Sequence, residues 1–149
     1  MLEQIYCVDD DVITLMLCKK VIQRADFAKE ILTATNGEEA ILFFKELAAQ
    51  PAPSYPSLTF LDLNMPKKNG IECLHEIKSN KKFDDIAIAI YSTSSSEEHI
   101  EETFVSGANI YIKKPNDFDT LKKVLSDVVA INWQYHTSGL NKDNFLLRM

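Results

Sequence analysis

The chain has 149 residues, about the size of one domain, and its 22 acidic and 16 basic residues give a formal net charge of −6. This acidic balance argues against a module that grips nucleic acid or anionic membranes through a basic surface. No apolar run reaches the roughly 18 residues of a membrane-spanning helix, and the first residues lack a secretion signal. We therefore expect a soluble, cytoplasmic protein that binds neither nucleic acid nor membranes.

The three cysteines fit a reducing compartment. Cys7 falls in an apolar run, and Cys18 and Cys73 fall in helical patterns far apart along the chain. Without a Cys-x-x-Cys motif or a His-rich companion, this spacing does not suit a metal site. We expect three buried, unpaired thiols.

Short β-rich runs alternate with stretches in which apolar residues recur every three or four positions, typical of strands followed by helices. In chain order, strands are predicted at 5–8, 30–35, 58–63, 86–91 and 110–112, and helices at 12–25, 38–50, 71–79, 97–106 and 118–133. The three prolines of 51–56 cannot continue a helix and predict a surface loop.

Five alternating strands and helices predict an α/β fold in which a parallel sheet lies between two layers of helices. In such sheets the ligand binds beyond the carboxyl ends of the strands. The function should therefore be sought where the strands end.

Polar residues follow four of the five predicted strands, and we expect them to meet at one edge of the sheet. The residues are Asp9, Asp10 and Asp11 after the first strand, Asp62 at the end of the third with Asn64 following, Ser92 and Thr93 after the fourth, and Lys113 and Lys114 after the fifth. Carboxylates held close together repel one another unless a cation neutralises them, and Mg²⁺ prefers such oxygen ligands. A remaining carboxylate can act as a nucleophile toward phosphorus, with a lysine neutralising the transferred oxygens.

These residues carry a resemblance to a known family. The segments Cys7-Val-Asp-Asp-Asp11, Leu61-Asp-Leu-Asn-Met-Pro66, Tyr91-Ser-Thr93 and Tyr111-Ile-Lys-Lys-Pro115, each at a strand end, resemble the receiver domain of two-component response regulators. The chain is similar to the single-domain, chemotaxis-regulator-like members, over about residues 4–133. The resemblance implies a flavodoxin-like (βα)5 doubly wound sandwich with a five-stranded parallel sheet in the order 2-1-3-4-5.

Carried over by position, the resemblance implies roles for individual residues. Asp62 is then the phosphoacceptor. Mg²⁺ is held by the carboxylates of Asp10 and Asp62, by Asp9 through a water molecule, and by the backbone carbonyl of Asn64. Ser92 and Lys114 contact the phosphoryl group, and Tyr111 is the switch aromatic. Thr93 stands where the family often has alanine, so we expect it to narrow access to Asp62.

The implied function is signalling rather than enzymatic turnover, with at most slow autophosphorylation from small donors and slow autodephosphorylation. A sensor histidine kinase or histidine phosphotransfer protein donates to Asp62, and a downstream protein reads the face of the fourth helix, fifth strand and fifth helix. Candidate face residues are Ile100, Phe104, Tyr111, Lys113 and Lys122. The sequence leaves dimerisation open, and also whether the protein is a phosphorelay shuttle or a terminal effector.

Residues 1–133 are interpreted as the receiver domain and 134–149 as a C-terminal extension, too short to be a separate output domain. The extension contains Tyr135, Phe145 and Leu147, so we expect it to pack back onto the domain or to contact a partner.

Several alternatives stay open. Asp11 is interpreted as a helix N-cap or as a charge near the helix N-terminus. Tyr111 is interpreted as core packing if it is not a switch, and the three histidines as exposed residues, namely His75, His99 and His136. A phosphorylation-independent interaction domain on the same fold remains an alternative. So does a phosphohydrolase of the haloacid dehalogenase type, although that family requires an aspartate at the position of Asn64.

Overall fold

Strands and helices alternate along the chain as the periodicity predicts. A computed structural model describes residues 2–24, 26, 28–51, 53, 55–65, 68–93, 96–115, 117–130 and 146–147. The strands are β1 (Leu2–Val8), β2 (Ala28–Ala34), β3 (Leu58–Leu61), β4 (Ala87–Ser92), β5 (Ile110–Lys113) and β6 (Leu146–Leu147). The helices are α1 (Val12–Arg24), α2 (Gly37–Ala48), α3 (Gly70–Lys78), α4 (Glu97–Val105) and α5 (Phe118–Ala130), with a short 3-10 turn at Lys81–Phe83.

The sheet is parallel and runs in the order β2-β1-β3-β4-β5-β6. Its first five strands have the predicted order 2-1-3-4-5, which confirms the flavodoxin-like fold. The structure adds β6, two residues long, beside β5. The sequence predicts only five strands, because the run that forms β6 is too short to give a strand pattern.

Two apolar layers cover the two faces of the sheet. One layer packs the sheet against α2, α3 and α4, and the other packs it against α1 and α5. Strand β4 shows the division, because Ile88 and Ile90 belong to the first layer while Ala89 and Tyr91 belong to the second. All six residues of β4 are buried, as expected for a strand covered on both faces.

Short polar caps start the helices close to the strand ends. Asp11 accepts a hydrogen bond from the backbone N–H of Ile13 at 3.0 Å and one from the Thr14 hydroxyl at 3.0 Å, which confirms it as a cap of α1. These bonds hold the pKa of Asp11 below its usual value. Asn69 and Glu72 form a reciprocal capping box at the start of α3. Helix α1 begins four positions after β1 ends, whereas α3 begins nine positions after β3 ends.

The cysteines and His75 lie as the sequence predicts. The three cysteines are buried and unpaired. His75 is exposed and shares a hydrogen bond with Ser106. In the part of the chain that the structure describes, no helix is long and apolar enough to cross a membrane. The predicted end of the last helix at 131–133, His136 and the extension up to residue 145 lie outside the described residues.

Gly70, the first residue of α3, lies directly against the backbone of Asp62 and Leu63. A Cβ atom at this position would collide with the backbone carbonyl oxygen of Asp62 and lie 2.7 Å from the Leu63 Cα. We expect Gly70→Ala to destabilise the protein by about 1–3 kcal/mol, because backbone must shift to admit the methyl group. A chemical denaturation curve measures this loss. Ser79→Ala at the exposed other end of α3 is the comparison, and equal stability of the two variants would contradict the close approach.

Candidate functional site

The carboxyl edge of the sheet brings together side chains that are distant in sequence. Val8 of β1 lies opposite Leu61 of β3 in the parallel ladder, so the aspartates that follow these two residues become neighbours. The backbone N–H of Asp62 donates to the carbonyl of Val8 at 2.9 Å, which fixes this register at the edge itself. Strand pairing therefore positions Asp9 beside Asp62.

Three carboxylates form a cluster at this edge. Asp9, Asp10 and Asp62 each offer an oxygen, and these oxygens lie within 4.8 Å of one another. Asp9 and Asp62 are only 3% and 4% exposed, whereas Asp10 is exposed to solvent. The cluster thus has two buried acids and one acid at its mouth.

Lys114 lies against the two buried acids. Its Nζ donates to Asp9 Oδ2 at 2.7 Å and lies 3.5 Å from Asp62 Oδ1. Its backbone N–H donates to the Ser92 carbonyl at 2.7 Å, which ties the residue to the end of β4. Burial acts to lower the pKa of the Lys114 ammonium, but the hydrogen bond and charge of Asp9 and the charge of Asp62 raise it above its usual value. Lys114 is therefore a cation held in place by the acids.

One ammonium does not neutralise two buried carboxylates. Burial raises the pKa of Asp62 to about 7, and the negative charge of Asp9 adds to this effect, against the opposing charge of Lys114. The edge therefore has an unbalanced negative charge at neutral pH.

A hard divalent cation fits this arrangement. The ligand atoms on offer are carboxylate oxygens, which Mg²⁺ prefers. Their mutual separation of 4.8 Å or less is compatible with shared ligation, because ligands on opposite sides of an octahedral Mg²⁺ lie about 4 Å apart. A cation bound here would also balance the negative charge of ionised Asp62.

The other predicted site residues occupy different surroundings. Ser92 and Tyr111 are fully buried, whereas Asn64 and Thr93 are exposed. The buried Tyr111 packs in the same apolar layer as Ile100 of α4. The structure thus brings the three acids and Lys114 into one cluster, while Tyr111 lies in the core behind it.

Tyr91 was not predicted as a site residue. The Lys114 Nζ lies 5.3 Å from the centre of the Tyr91 ring, within the range of a cation–π interaction. Tyr91 also lines a small pocket beneath the acids together with Cys7, Cys18 and Phe60. Strand alternation places Tyr91 on the α1 and α5 side, but its contact with Lys114 depends on the neighbouring strand and leaves no signal in the sequence.

The raised pKa of Asp62 predicts a loss of stability with rising pH when no divalent cation is bound. The folded-state value of about 7 exceeds the ordinary value of 3.8, so between these values the folded protein retains a proton that the unfolded chain has lost. The free energy of unfolding therefore falls as pH rises through this window. In EDTA we expect the melting temperature to fall by about 5 °C or more between about pH 5 and about pH 8.

Two controls distinguish this titration from a general pH effect. Asp62→Asn has no charge to gain and should lose less stability over the same pH range. Excess Mg²⁺ should restore the wild-type melting temperature at the upper pH. An equal pH dependence for wild type and Asp62→Asn would contradict the assignment.

Comparison with known proteins agrees with this geometry. The sequence pattern of the response regulator receiver domain matches residues 5–126, so the chain belongs to the response regulator receiver family. Receiver domains act in two-component signalling, bind a divalent cation through acidic residues, and interact with histidine kinases or phosphotransfer proteins and with downstream targets.

The chain spans most of the length of several relatives. The chemotaxis protein CheY of Halobacterium salinarum is 33% identical over 132 residues, covering 87% of this chain and 99% of that protein. The response regulator Rcp1 of Synechocystis sp. is 27% identical over 124 residues, covering 83% and 84%. The phosphorylated cyanobacterial phytochrome response regulator RcpA superposes with a TM-score of 0.77 at 29% identity, covering 86% of this chain and 91% of RcpA.

Proposed function

We propose that this protein is a response regulator receiver that accepts a phosphoryl group on Asp62 in a Mg²⁺-dependent reaction. The donor is a phosphohistidine on a sensor histidine kinase or a histidine phosphotransfer protein. The observation that carries the proposal is the cluster of Asp9, Asp10 and Asp62 against Lys114. Structural acids at a sheet edge do not require two buried carboxylates held against a half-buried ammonium.

The transfer forms one bond and breaks one bond. A carboxylate oxygen of Asp62 attacks the phosphorus of the phosphohistidine, and an O–P bond forms. The P–N bond breaks, and its electron pair stays on the imidazole nitrogen, which takes up a proton. Lys114, 3.5 Å from Asp62 Oδ1, neutralises negative charge on the transferred oxygens.

In this proposal the carboxylates of Asp10 and Asp62 and the backbone carbonyl of Asn64 would bind the metal directly, and Asp9 would bind it through a water molecule. When bound, Mg²⁺ neutralises charge on the carboxylates and on the phosphoryl oxygens. A structure of the Mn²⁺-bound form of Rcp1 has the same fold as this chain, with a TM-score of 0.76 at 24% identity over 93% of this chain and 97% of Rcp1. The acid cluster of this chain supports a divalent cation here as well.

An apolar patch beside the site supports a protein as the phosphoryl donor. Four apolar side chains in the first two turns of α1 are exposed by 38% to 69%, namely Val12, Ile13, Met16 and Leu17. They follow directly after Asp10 and Asp11, so a protein docked on them reaches the acidic cluster. A small-molecule donor does not need such a surface, whereas exposed apolar patches mark protein contacts.

The proposed output is a change at the face formed by α4, β5 and α5. Ser92 and Tyr111 are both fully buried, so a phosphoryl group that draws the Ser92 hydroxyl toward Asp62 alters packing near Tyr111. The resulting shift between two conformations is read by a downstream protein. Of the predicted face residues, Lys113 and Lys122 are exposed and Phe104 is half-buried, whereas Ile100 and Tyr111 are buried. The proposed contact residues are therefore Phe104, Lys113 and Lys122, while Ile100 and Tyr111 form the core beneath them.

Thr93 is proposed to slow the loss of the phosphoryl group. It follows Ser92 at the end of β4 and is exposed, so its side chain can narrow the approach of water to Asp62. We expect Thr93→Ala to speed autodephosphorylation by a few-fold, measured as the decay of the phosphorylated mass after donor removal. Thr93→Ser tests the bulk of the methyl group, and an unchanged decay rate in Thr93→Ala would contradict this role.

Incubation with acetyl phosphate and Mg²⁺, followed by intact mass measurement, tests the proposed function. One added phosphoryl group, absent in EDTA, is the expected result. The phosphohydrolase alternative has little support, because the amide of Asn64 cannot supply the acid and base of that reaction. A phosphorylation-independent role would be indicated if wild-type protein gained no phosphoryl group.

We also propose that residues 1–133 form the receiver domain and that residues 134–149 form the C-terminal extension.

A further inference from the structure

The edge of the sheet next to α4 and α5 is occupied by the chain's own C-terminal segment. Leu146 pairs with Tyr111, and Leu147 pairs with Ile112, in a parallel ladder between β6 and β5. Without these two residues β5 would be the edge strand of the sheet. The segment therefore covers the backbone of the strand that carries the proposed switch tyrosine.

An uncovered edge strand presents unpaired backbone N–H and C=O groups and readily accepts another strand. In this protein, residues near the chain end fill that position. A two-residue strand makes few hydrogen bonds, each with a small net contribution of about 0.5–1.5 kcal/mol. The pairing is thus weak enough to open and close without unfolding the domain.

The covered strand also leads into the acidic cluster. Ile112, paired with Leu147, lies two residues before Lys114, which contacts Asp9 and Asp62. A change in the position of Lys114 can therefore alter the position of the β5 backbone, because only a short stretch of chain separates them. The same stretch carries any change in the opposite direction, because coupling between two binding events is reciprocal.

We propose that the Leu146–Leu147 segment is an intramolecular ligand that covers the β5 edge within the α4–β5–α5 face, and that its docking is linked to the phosphorylation state of Asp62. The edge contact is independent of the proposed function, whereas the linkage rests on it. The segment is thus an autoinhibitory contact. It competes with a downstream protein for this face, and phosphorylation shifts the balance between the two.

Hydrogen exchange of the full chain tests the contact. Successive N–H groups of a strand point to opposite sides, so only one of the two in β6 faces β5. Leu146→Pro/Leu147→Pro removes that N–H whichever residue carries it, whereas Leu146→Val/Leu147→Val retains it. We expect edge-facing amides of β5 to exchange at least about 10-fold faster in the proline variant than in wild type. The valine variant should match wild type. Amides of β1, in the interior of the sheet, should be unchanged in both variants.

Beryllofluoride with Mg²⁺, a mimic of the phosphoryl group, tests the linkage. We expect beryllofluoride binding to change the hydrogen-exchange protection of β5 in wild type. The apparent affinity for beryllofluoride should differ at least about three-fold between the proline and valine variants. Equal β5 exchange in all variants would show that the segment does not dock. Faster exchange of β1 as well would show that it belongs to the global fold rather than acting as a separable ligand.

The remaining outcomes separate this proposal from the proposed function. Normal beryllofluoride binding with equal affinity in both variants would leave the function intact and overturn the linkage. No Mg²⁺-dependent binding in any variant would overturn the proposed function and the linkage with it. The exchange data on β5 would still decide whether the segment covers the edge.

Discussion

Asp62→Asn is expected to abolish incorporation of a phosphoryl group from acetyl phosphate, with a fall of more than about 10³-fold in rate. The amide nitrogen and oxygen of asparagine are far weaker nucleophiles than a carboxylate, and no other described acid lies beside both Asp9 and Lys114. Asp9 is buried but forms a hydrogen bond with Lys114 at 2.7 Å, which lowers its nucleophilicity. Intact mass measurement against time gives the rate.

The matched control is Asp85→Asn, which makes the same chemical change at an exposed residue after the short 3-10 turn. It should incorporate the phosphoryl group at the wild-type rate. Equal incorporation by wild type and Asp62→Asn would show that another residue is the phosphoacceptor, and the proposed transfer to Asp62 would then be wrong.

Lys114→Ala is expected to reduce the rate of phosphoryl incorporation by about 10²-fold, comparable to the removal of one charge-stabilising donor from other active sites. The substitution removes the ammonium that lies within 3.5 Å of both buried acids. The like charges of Asp9 and Asp62 then repel without compensation, so the pKa of Asp62 should rise further. The fall in rate should therefore be larger at lower pH, where more of Asp62 is protonated.

Lys113 gives a matched control one residue away. It belongs to the same strand end but is exposed, so Lys113→Ala should incorporate the phosphoryl group at the wild-type rate. Lys114→Arg keeps the charge with a different shape and should recover part of the activity. Equal rates for Lys113→Ala and Lys114→Ala would show that the position of the ammonium does not matter.

The sequence was informative about the fold because its elements have distinct local periods. The fully apolar run that became β4 and the helical spacing in α1 and α2 predicted their elements to within a few residues. The order of the strands in the sheet could not be predicted in this way, since periodicity says nothing about which strands are neighbours. That order came from the family resemblance, and the structure confirms it through pairings such as Val8 with Leu61.

The two-residue strand β6 could not be predicted from local sequence patterns. Leu146 and Leu147 carry no alternation of their own, and their pairing depends on the free edge of β5. A contact between segments so far apart is decided by the position of the edge in space. The sequence could only indicate that the extension contains enough apolar residues to pack against something.

The sequence by itself determined which polar residues follow the strands, because a strand's carboxyl end is marked by the change from apolar to polar side chains. Only the tertiary structure decided how these residues differ. It buries Asp9 and Asp62 and exposes Asp10, and it brings Lys114 closer to Asp9 than to Asp62. Burial and distance depend on packing between layers from distant parts of the chain, and these set the raised pKa of Asp62.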